Sequence, residues 1–316
     1  MQDTVSVTMP GDLLRIADLD AEQLSALLDL AAEMKRDPTG WREEHRAEVL
    51  VCYFAKPSTR TRVSIEAAGW RLGMLPVMLR PDELQLGRGE PIADTARVFS
   101  AYASAIVIRT FAQSDLQEMA DAASVPVINA LTDEHHPCQA LADLLTLRER
   151  FGGLDGLRLA YVGDGNNVAH SLMEAGALAG MHVVIAAPDG YQPSLPITVQ
   201  AREIAHRHGG SVEVTADVDR AVADAHAVYT DVWVSMGEEA EQERRRAQLR
   251  AYQVDAELMA KAAPDAVFMH CLPAHRGQEV SGVVIDGRQS VVFEQAANRL
   301  PTEQAVVHAL LSDRAS

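Results

Sequence analysis

Lys56-Pro57-Ser58-Thr59-Arg60-Thr61-Arg62 places three hydroxyls and two arginines directly after an apolar run. At the start of a helix, such a run offers backbone N–H groups, O–H donors and guanidinium groups at a positive helix end, which together suit a phosphate. The same residues equally fit a helix capped by Ser58 with two solvated arginines. Arg109 follows Ile106-Val107-Ile108, where a guanidinium would meet an anionic carbonyl or phosphate oxygen, or simply cap a strand at the surface. Gln85 lies in a polar loop between Leu84 and Glu90 that contains Gly87 and Gly89, which reads equally as a flexible turn. In Gly163-Asp164-Gly165-Asn166-Asn167 a dinucleotide fingerprint begins, but Val168 takes the third glycine position, so NAD is not expected. Asn167 suits a helix cap or a left-handed turn. His135, His136, Cys138, His270, Cys271 and His275 include metal-ligand types. No Cys-x2-Cys pair accompanies them, and Pro137 and Pro273 interrupt both segments, so no metal is expected.

The elements that must position these residues alternate along the chain. Residues 49–54 are apolar on both faces and read as a buried strand. A helix over 59–72, a short run at 75–79, a helix over 92–102, strands at 105–108 and 125–128, and a helix over 137–150 follow. The turn-rich segment 151–156 marks a boundary. Beyond it come strands at 157–162, 183–186, 211–214, 227–229, 266–269 and 290–293, with helices over 168–178 and 303–311. This alternation predicts an α/β fold of two domains, each a mainly parallel sheet flanked by helices, with an active-site cleft between them. The expected divisions are 1–150, 151–298, and a C-terminal helix at 299–316 that is free to pack back on the first domain. The polar clusters fall where strands run into helices, the ligand-binding edge of an open parallel sheet.

Composition narrows the function. The chain has 316 residues, enough for two domains, and its 23% charged and 47% hydrophobic residues are those of a globular protein. The net charge of -17 argues against nucleic acid and means that an anionic substrate needs local arginines to overcome the overall field. The mixed-charge run at 238–250 reads as a solvated face. No stretch approaches a membrane span, and the N-terminus lacks the apolar core of a secretory signal. Three cysteines, Cys52, Cys138 and Cys271, make no disulfide framework and suggest a reducing, cytoplasmic setting.

Five segments, in order, resemble the signatures of the aspartate/ornithine carbamoyltransferase family, in its ornithine branch. They are Ser58-Thr59-Arg60-Thr61-Arg62, His136-Pro137-Cys138-Gln139, Asp231-Val232-Trp233-Val234-Ser235-Met236-Gly237, His270-Cys271-Leu272-Pro273, and Phe293 to Leu300. The resemblance spans nearly the whole chain. It departs from the family pattern at Gln113, where a histidine is usual, and at Gly89, where some relatives carry a basic residue beside the position held here by Arg88.

The resemblance implies transfer of the carbamoyl group of carbamoyl phosphate to the δ-amine of L-ornithine, giving L-citrulline and phosphate in arginine biosynthesis, without a cofactor. It assigns carbamoyl phosphate to Ser58, Thr59, Arg60, Thr61, Gln85, Arg109, His136, Gln139, Cys271, Leu272 and Arg299. Arg109, His136 and Cys271 would carry the catalytic roles. Ornithine falls to Asn167, Asp231, Ser235 and Met236. A homotrimer is implied, with the Gln85 loop completing a neighbour's site. The alternatives are a family member acting on putrescine or an acylated ornithine, a silent relative serving as a regulatory subunit, and an NAD-dependent oxidoreductase.

Overall fold

Val49–Phe54 (β1) is buried along nearly its whole length, as a strand covered on both faces must be. The structure, a computed structural model, describes residues 8–234 and 241–312. Two compact units emerge, one formed by the residues up to Leu145 together with those from Ala297, the other by Thr146–Ala296.

In the first unit, Asp20 caps α1 (Ala21–Arg36) and exchanges hydrogen bonds with Gln23 in a capping box. After β1 come α2 (Arg60–Arg71), β2 (Leu75–Leu79), α3 (Ile92–Tyr102), β3 (Ala105–Arg109), α4 (Gln113–Ala122), β4 (Val127–Leu131) and α5 (Pro137–Phe151). The strands are all parallel in the order β2-β1-β3-β4. Val51, Ile106, Phe99, Leu116 and Met119 belong to its core.

The second unit holds β5 (Arg158–Val162), α6 (Asn167–Leu178), β6 (His182–Ala186), α7 (Leu195–Arg207), β7 (Ser211–Thr215), α8 (Val218–Val222) and β8 (Ala227–Tyr229). It continues with α9 (Gln242–Leu249), α10 (Ala256–Met259), β9 (Val267–Met269) and α11 (Gly282–Ile285). Its parallel order is β7-β6-β5-β8-β9. Val162, Val184, Val228, Phe268 and Ile285 sit in its core. The last helix, α12 (Val292–Ser312), runs from the second unit into the residues of the first. Among the described residues no helix is long and apolar enough to cross a membrane.

Some expected elements differ. Residues 290–293 form no strand: Ser290 makes one isolated bridge to Phe268, and α12 begins at Val292 rather than at Glu303. Val292, Gln295, Asn298, Arg299 and Thr302 are buried at helical intervals while Phe293 is 69% exposed, so this run has the period of a helix. Pro301 lies inside the helix, and the hydroxyl of Thr302 donates to the carbonyl of Asn298 at 2.8 Å beside it. Helices α1, α4, α7, α8, α10 and α11 are additions to the pattern read from the sequence.

Candidate functional site

Strand order decides where ligands can go. From β1 the chain moves to β2 on one side and then to β3 on the other, so adjacent loops after β1 and β3 diverge and leave a crevice at their carboxyl ends. Ser58, Thr59, Arg60 and Thr61 follow β1, and Arg109 ends β3. The β3–β4 ladder shifts between Ile108 and Arg109, which pair with Asn129 and Leu131. A bulge of this kind re-aims the side chain beside it. Arg109, only 7% exposed, donates from Nη1 to Ser58 Oγ at 3.4 Å. Ser58 therefore does not cap α2; Thr59 holds that position without a side-chain cap.

Around this crevice the first unit gathers buried polar groups. Arg299 on α12 donates to Gln139 Oε1 at 2.7 Å, to Thr61 Oγ1 at 2.9 Å and to Glu303 Oε1 at 2.7 Å. Burial raises the Glu303 carboxyl above its ordinary range, opposed by Arg299 and a hydrogen bond with Ser64. His136 is buried just ahead of α5, and burial together with the charges of Arg299, Arg109 and Arg60 holds its imidazole well below the usual range. It is thus neutral at pH 7, able to donate one proton to a polarised carbonyl without bearing charge. Burial pushes the neighbouring Cys138 thiol up to about 12, and Cys138 donates to the carbonyl of Asn129 at 3.4 Å, a packing role. Gln113, the departure from the family histidine, accepts from Thr132 Oγ1 at 2.6 Å and so ties the start of α4 to the loop after β4. Gln85 is not drawn into this cluster: it is exposed beside the short turn Leu86–Arg88, and its Oε1 accepts from Arg88 at 3.3 Å.

The second unit repeats the logic. Its order reverses between β5 and β8, and the loops after these strands carry Asn167 and Asp231. Gly165 is required in the first of them, because a Cβ there would overlap the backbone of Pro193. Asn166, not Asn167, caps α6, accepting from Val168 N at 3.0 Å, while its Nδ2 donates to Asp231 Oδ2 at 2.8 Å. The other oxygen of Asp231 accepts from the Cys271 thiol at 3.0 Å. Asn167 sits partly buried at the first position of α6.

Cys271 and Leu272 follow β9. Gln295 of α12 accepts from His270 N at 3.0 Å and donates to the Tyr229 hydroxyl at 3.0 Å, anchoring that loop. Leu272 takes φ of 59°, a left-handed backbone that costs a bulky residue about 1–3 kcal/mol. Its N–H donates to His270 Nδ1 at 2.8 Å, and its side chain packs against the core. Buried Arg245 pairs with Asp164 and donates to the carbonyl of Trp233 at 2.6 Å. Ser235 and Met236 lie outside the described residues. Asp231, His270 and Cys271 bring one ligand atom each within 4.8 Å of one another, a set that differs from the His270/His275 spacing weighed in the sequence. Its atoms are already engaged, the thiol with Asp231 and Nδ1 with the backbone of Leu272.

Sequence reasoning missed Asn166, Gln295, Glu303 and Arg245. Asn166 had a local signal, the Asn-Asn pair at a strand–helix junction, and Glu303 stands four residues from Arg299 on one helix; Gln295 and Arg245 act through partners distant in the chain.

Two parallel sheets, each with polar side chains at its reversal of strand order, define a class: a two-domain α/β protein with separate ligand-binding edges. Residues 11–149 match the family model described as the carbamoyl-P binding domain of aspartate/ornithine carbamoyltransferase, and residues 155–310 match its Asp/Orn binding domain. The chain belongs to the aspartate/ornithine carbamoyltransferase family. It is 54% identical over 308 residues to an ornithine carbamoyltransferase of Symbiobacterium thermophilum, covering 96% of this chain and 99% of the relative. Among solved structures, ornithine carbamoyltransferase from Pyrococcus furiosus superposes with a TM-score of 0.92 at 49% identity, covering 95% of this chain and 97% of that one. Anabolic ornithine carbamoyltransferase from Campylobacter jejuni gives a TM-score of 0.91 at 36% identity, covering 96% and 99%.

Proposed function

We infer that this carbamoyltransferase moves the carbamoyl group of carbamoyl phosphate to the δ-amine of L-ornithine, releasing L-citrulline and phosphate. The observation that carries the choice of amine is the Asp231 carboxylate, held from both sides by Asn166 and Cys271. A fixed carboxylate pairs with the α-ammonium of the amino acid and repels the second carboxylate that aspartate carries and ornithine lacks. The relatives named for ornithine support the same reading.

In this reading Ser58, Thr59, Arg60 and Thr61 hold the phosphate, with Gln139 and Arg299 fixing their frame. Arg109 and neutral His136 donate to the carbamoyl oxygen, where negative charge develops as the amine attacks. Asp231 pairs with the α-ammonium of ornithine, Asn167 meets its carboxylate with Ser235 and Met236, and Cys271 and Leu272 lie along the reacting end. The neutral amine attacks the carbonyl carbon, the tetrahedral intermediate gives up the surplus proton of its nitrogen to the departing phosphate as it collapses, and the phosphate leaves with the bonding electrons. An alkylammonium has a pKa of about 10.4, so the δ-amine must lose its proton first, which desolvation beside arginines favours. A homotrimer with Gln85 lent to a neighbour, a cytoplasmic location and a role in arginine biosynthesis belong to the same proposal. The thiols of Cys52, Cys138 and Cys271, none of them in a disulfide among the described residues, support the reducing compartment.

The test is a citrulline colour assay with carbamoyl phosphate and equal concentrations of ornithine, putrescine, N-acetylornithine and aspartate. Ornithine should be preferred by orders of magnitude. Equal or faster turnover of another amine overturns the assignment.

A further inference from the structure

We propose that Lys56 is a positioning residue, a rivet that fixes the three loops of the anion-binding edge, rather than a ligand of the anion. Its side chain is 5% exposed, unusual burial for a lysine. The ammonium pairs with the carboxylate of Asp133 and lies 4.1 Å from the centroid of the Phe111 ring. These three residues come from different loops. Lys56 follows β1 and stands two residues before Ser58; Phe111 follows β3, two residues after Arg109; Asp133 follows β4, three residues before His136.

The backbone shows what the rivet extends. Beyond the regular strands, Ala55 N still donates to Arg109 O at 2.8 Å, Thr110 N to Leu131 O at 3.0 Å and Asp133 N to Phe111 O at 2.8 Å. The sheet thus continues as single bonds where its ladder ends, and one ammonium joins the second residue beyond each of the three strands. An ion pair combined with a cation–π contact on a largely desolvated ammonium fixes both distance and direction. A direct phosphate ligand would have its ammonium free to meet the anion. Here the ammonium is buried between the Asp133 carboxylate and the Phe111 ring, which hold it in place, while the arginines supply the charge.

The inference rests on the carbamoyl-phosphate reading of this edge. Both can be tested by binding inorganic phosphate calorimetrically and by steady-state kinetics with carbamoyl phosphate and ornithine. Lys56→Met should weaken phosphate binding and lower kcat/KM for carbamoyl phosphate by about tenfold or more, within the ~10²-fold that a 1 Å misplacement costs. Lys56→Arg, which keeps both the ion pair and the ring contact, should recover most of that loss. Asp133 and Phe111 are half-exposed, so Asp133→Asn and Phe111→Leu can be read even where Lys56→Met does not fold. Each should weaken phosphate binding severalfold. Tighter phosphate binding by Asp133→Asn would mean that a released Lys56 meets the anion itself, and would overturn the proposal. So would a lowered thermal midpoint with unchanged phosphate affinity and kinetics, the signature of a merely structural lysine. Arg60→Ala separates the two levels. If it leaves phosphate binding unchanged, the anion-site reading fails and Lys56's role with it. If it abolishes binding while the Lys56, Asp133 and Phe111 variants bind normally, only the rivet is wrong.

Discussion

Arg299 donates to Gln139 Oε1 at 2.7 Å across 160 positions of sequence. The contact joins the last helix to the start of α5 within the first unit, and the same guanidinium holds Thr61 and Glu303. Arg299→Met leaves the Glu303 carboxylate buried without its ion-pair partner, a change that typically costs about 3–5 kcal/mol. Adding Glu303→Leu should return a large part of that stability, measured by urea denaturation. A double variant less stable than Arg299→Met would show that Glu303 does not depend on the pair.

Arg109 donates to Ser58, from beside the bulge between β3 and β4. As an oxyanion donor its removal should lower kcat by ~10²–10³, with a smaller effect on phosphate binding. Steady-state kinetics of Arg109→Ala distinguish this from a binding role. An unchanged kcat with a raised KM for carbamoyl phosphate would make Arg109 a binding group alone.

Cys271 and Asn166 hold the two oxygens of Asp231. Cys271→Ser keeps a donor to the carboxylate and should retain partial activity, because in the proposed reaction the thiol forms no covalent intermediate. Asn166→Ala should raise KM for ornithine and cost about 0.5–2 kcal/mol of stability through loss of the helix cap. Mass spectrometry that traps a carbamoylated Cys271 during turnover would refute the non-covalent role.

His308 gives the fold a pH dependence. Burial, with a smaller electrostatic contribution from the neighbouring His45, lowers its pKa from 6.5 to about 4. His45 Nε2 lies 3.0 Å from His308 Nδ1, Glu48 is bonded to the far side of His45, and Trp41 and Ser312 flank the ring. Below the unfolded value the unfolded chain binds more protons than the folded one, so this stability is present above pH 6.5 and is lost as pH falls toward 4. The full loss is at most about 3 kcal/mol. The stability difference between the parent and His308→Gln should therefore shrink between about pH 7 and about pH 5 in urea titrations. A difference constant with pH would remove His308 from the account.

Shared sites predict complementation. In a closed trimer with head-to-tail interfaces, each subunit lends one loop and borrows one. Gln85→Ala and Arg109→Ala, each impaired alone, should regain activity when mixed after reversible dissociation. With equal random mixing, about a quarter of all sites combine an intact Arg109 with a neighbour's intact Gln85. Demonstrated subunit exchange without recovered activity would disprove the shared site, as would a fully active monomer in sedimentation.

Much of the architecture was legible because it is written locally. Continuous apolar runs such as Val49–Phe54 mark strands buried on both faces, and hydroxyl-arginine and Gly-Asp-Gly-Asn-Asn strings fall directly after such strands. Residues 290–293 misled because four residues hold too little of a period to separate strand from helix. Pro301 hid the continuity of α12, since a proline ordinarily ends a helix.

The sequence alone determined which residue types stand at each strand end, because strand, turn and helix cap depend on neighbours a few positions apart. Only the tertiary structure decided which strand ends adjoin. The orders β2-β1-β3-β4 and β7-β6-β5-β8-β9 put Ser58 beside Arg109 and Asn166 beside Asp231. Likewise it alone joined Gln295 to His270 and Arg299 to Gln139. Such contacts arise from burying apolar faces in one particular layering, after which each buried polar group must find a partner wherever the packing has left one.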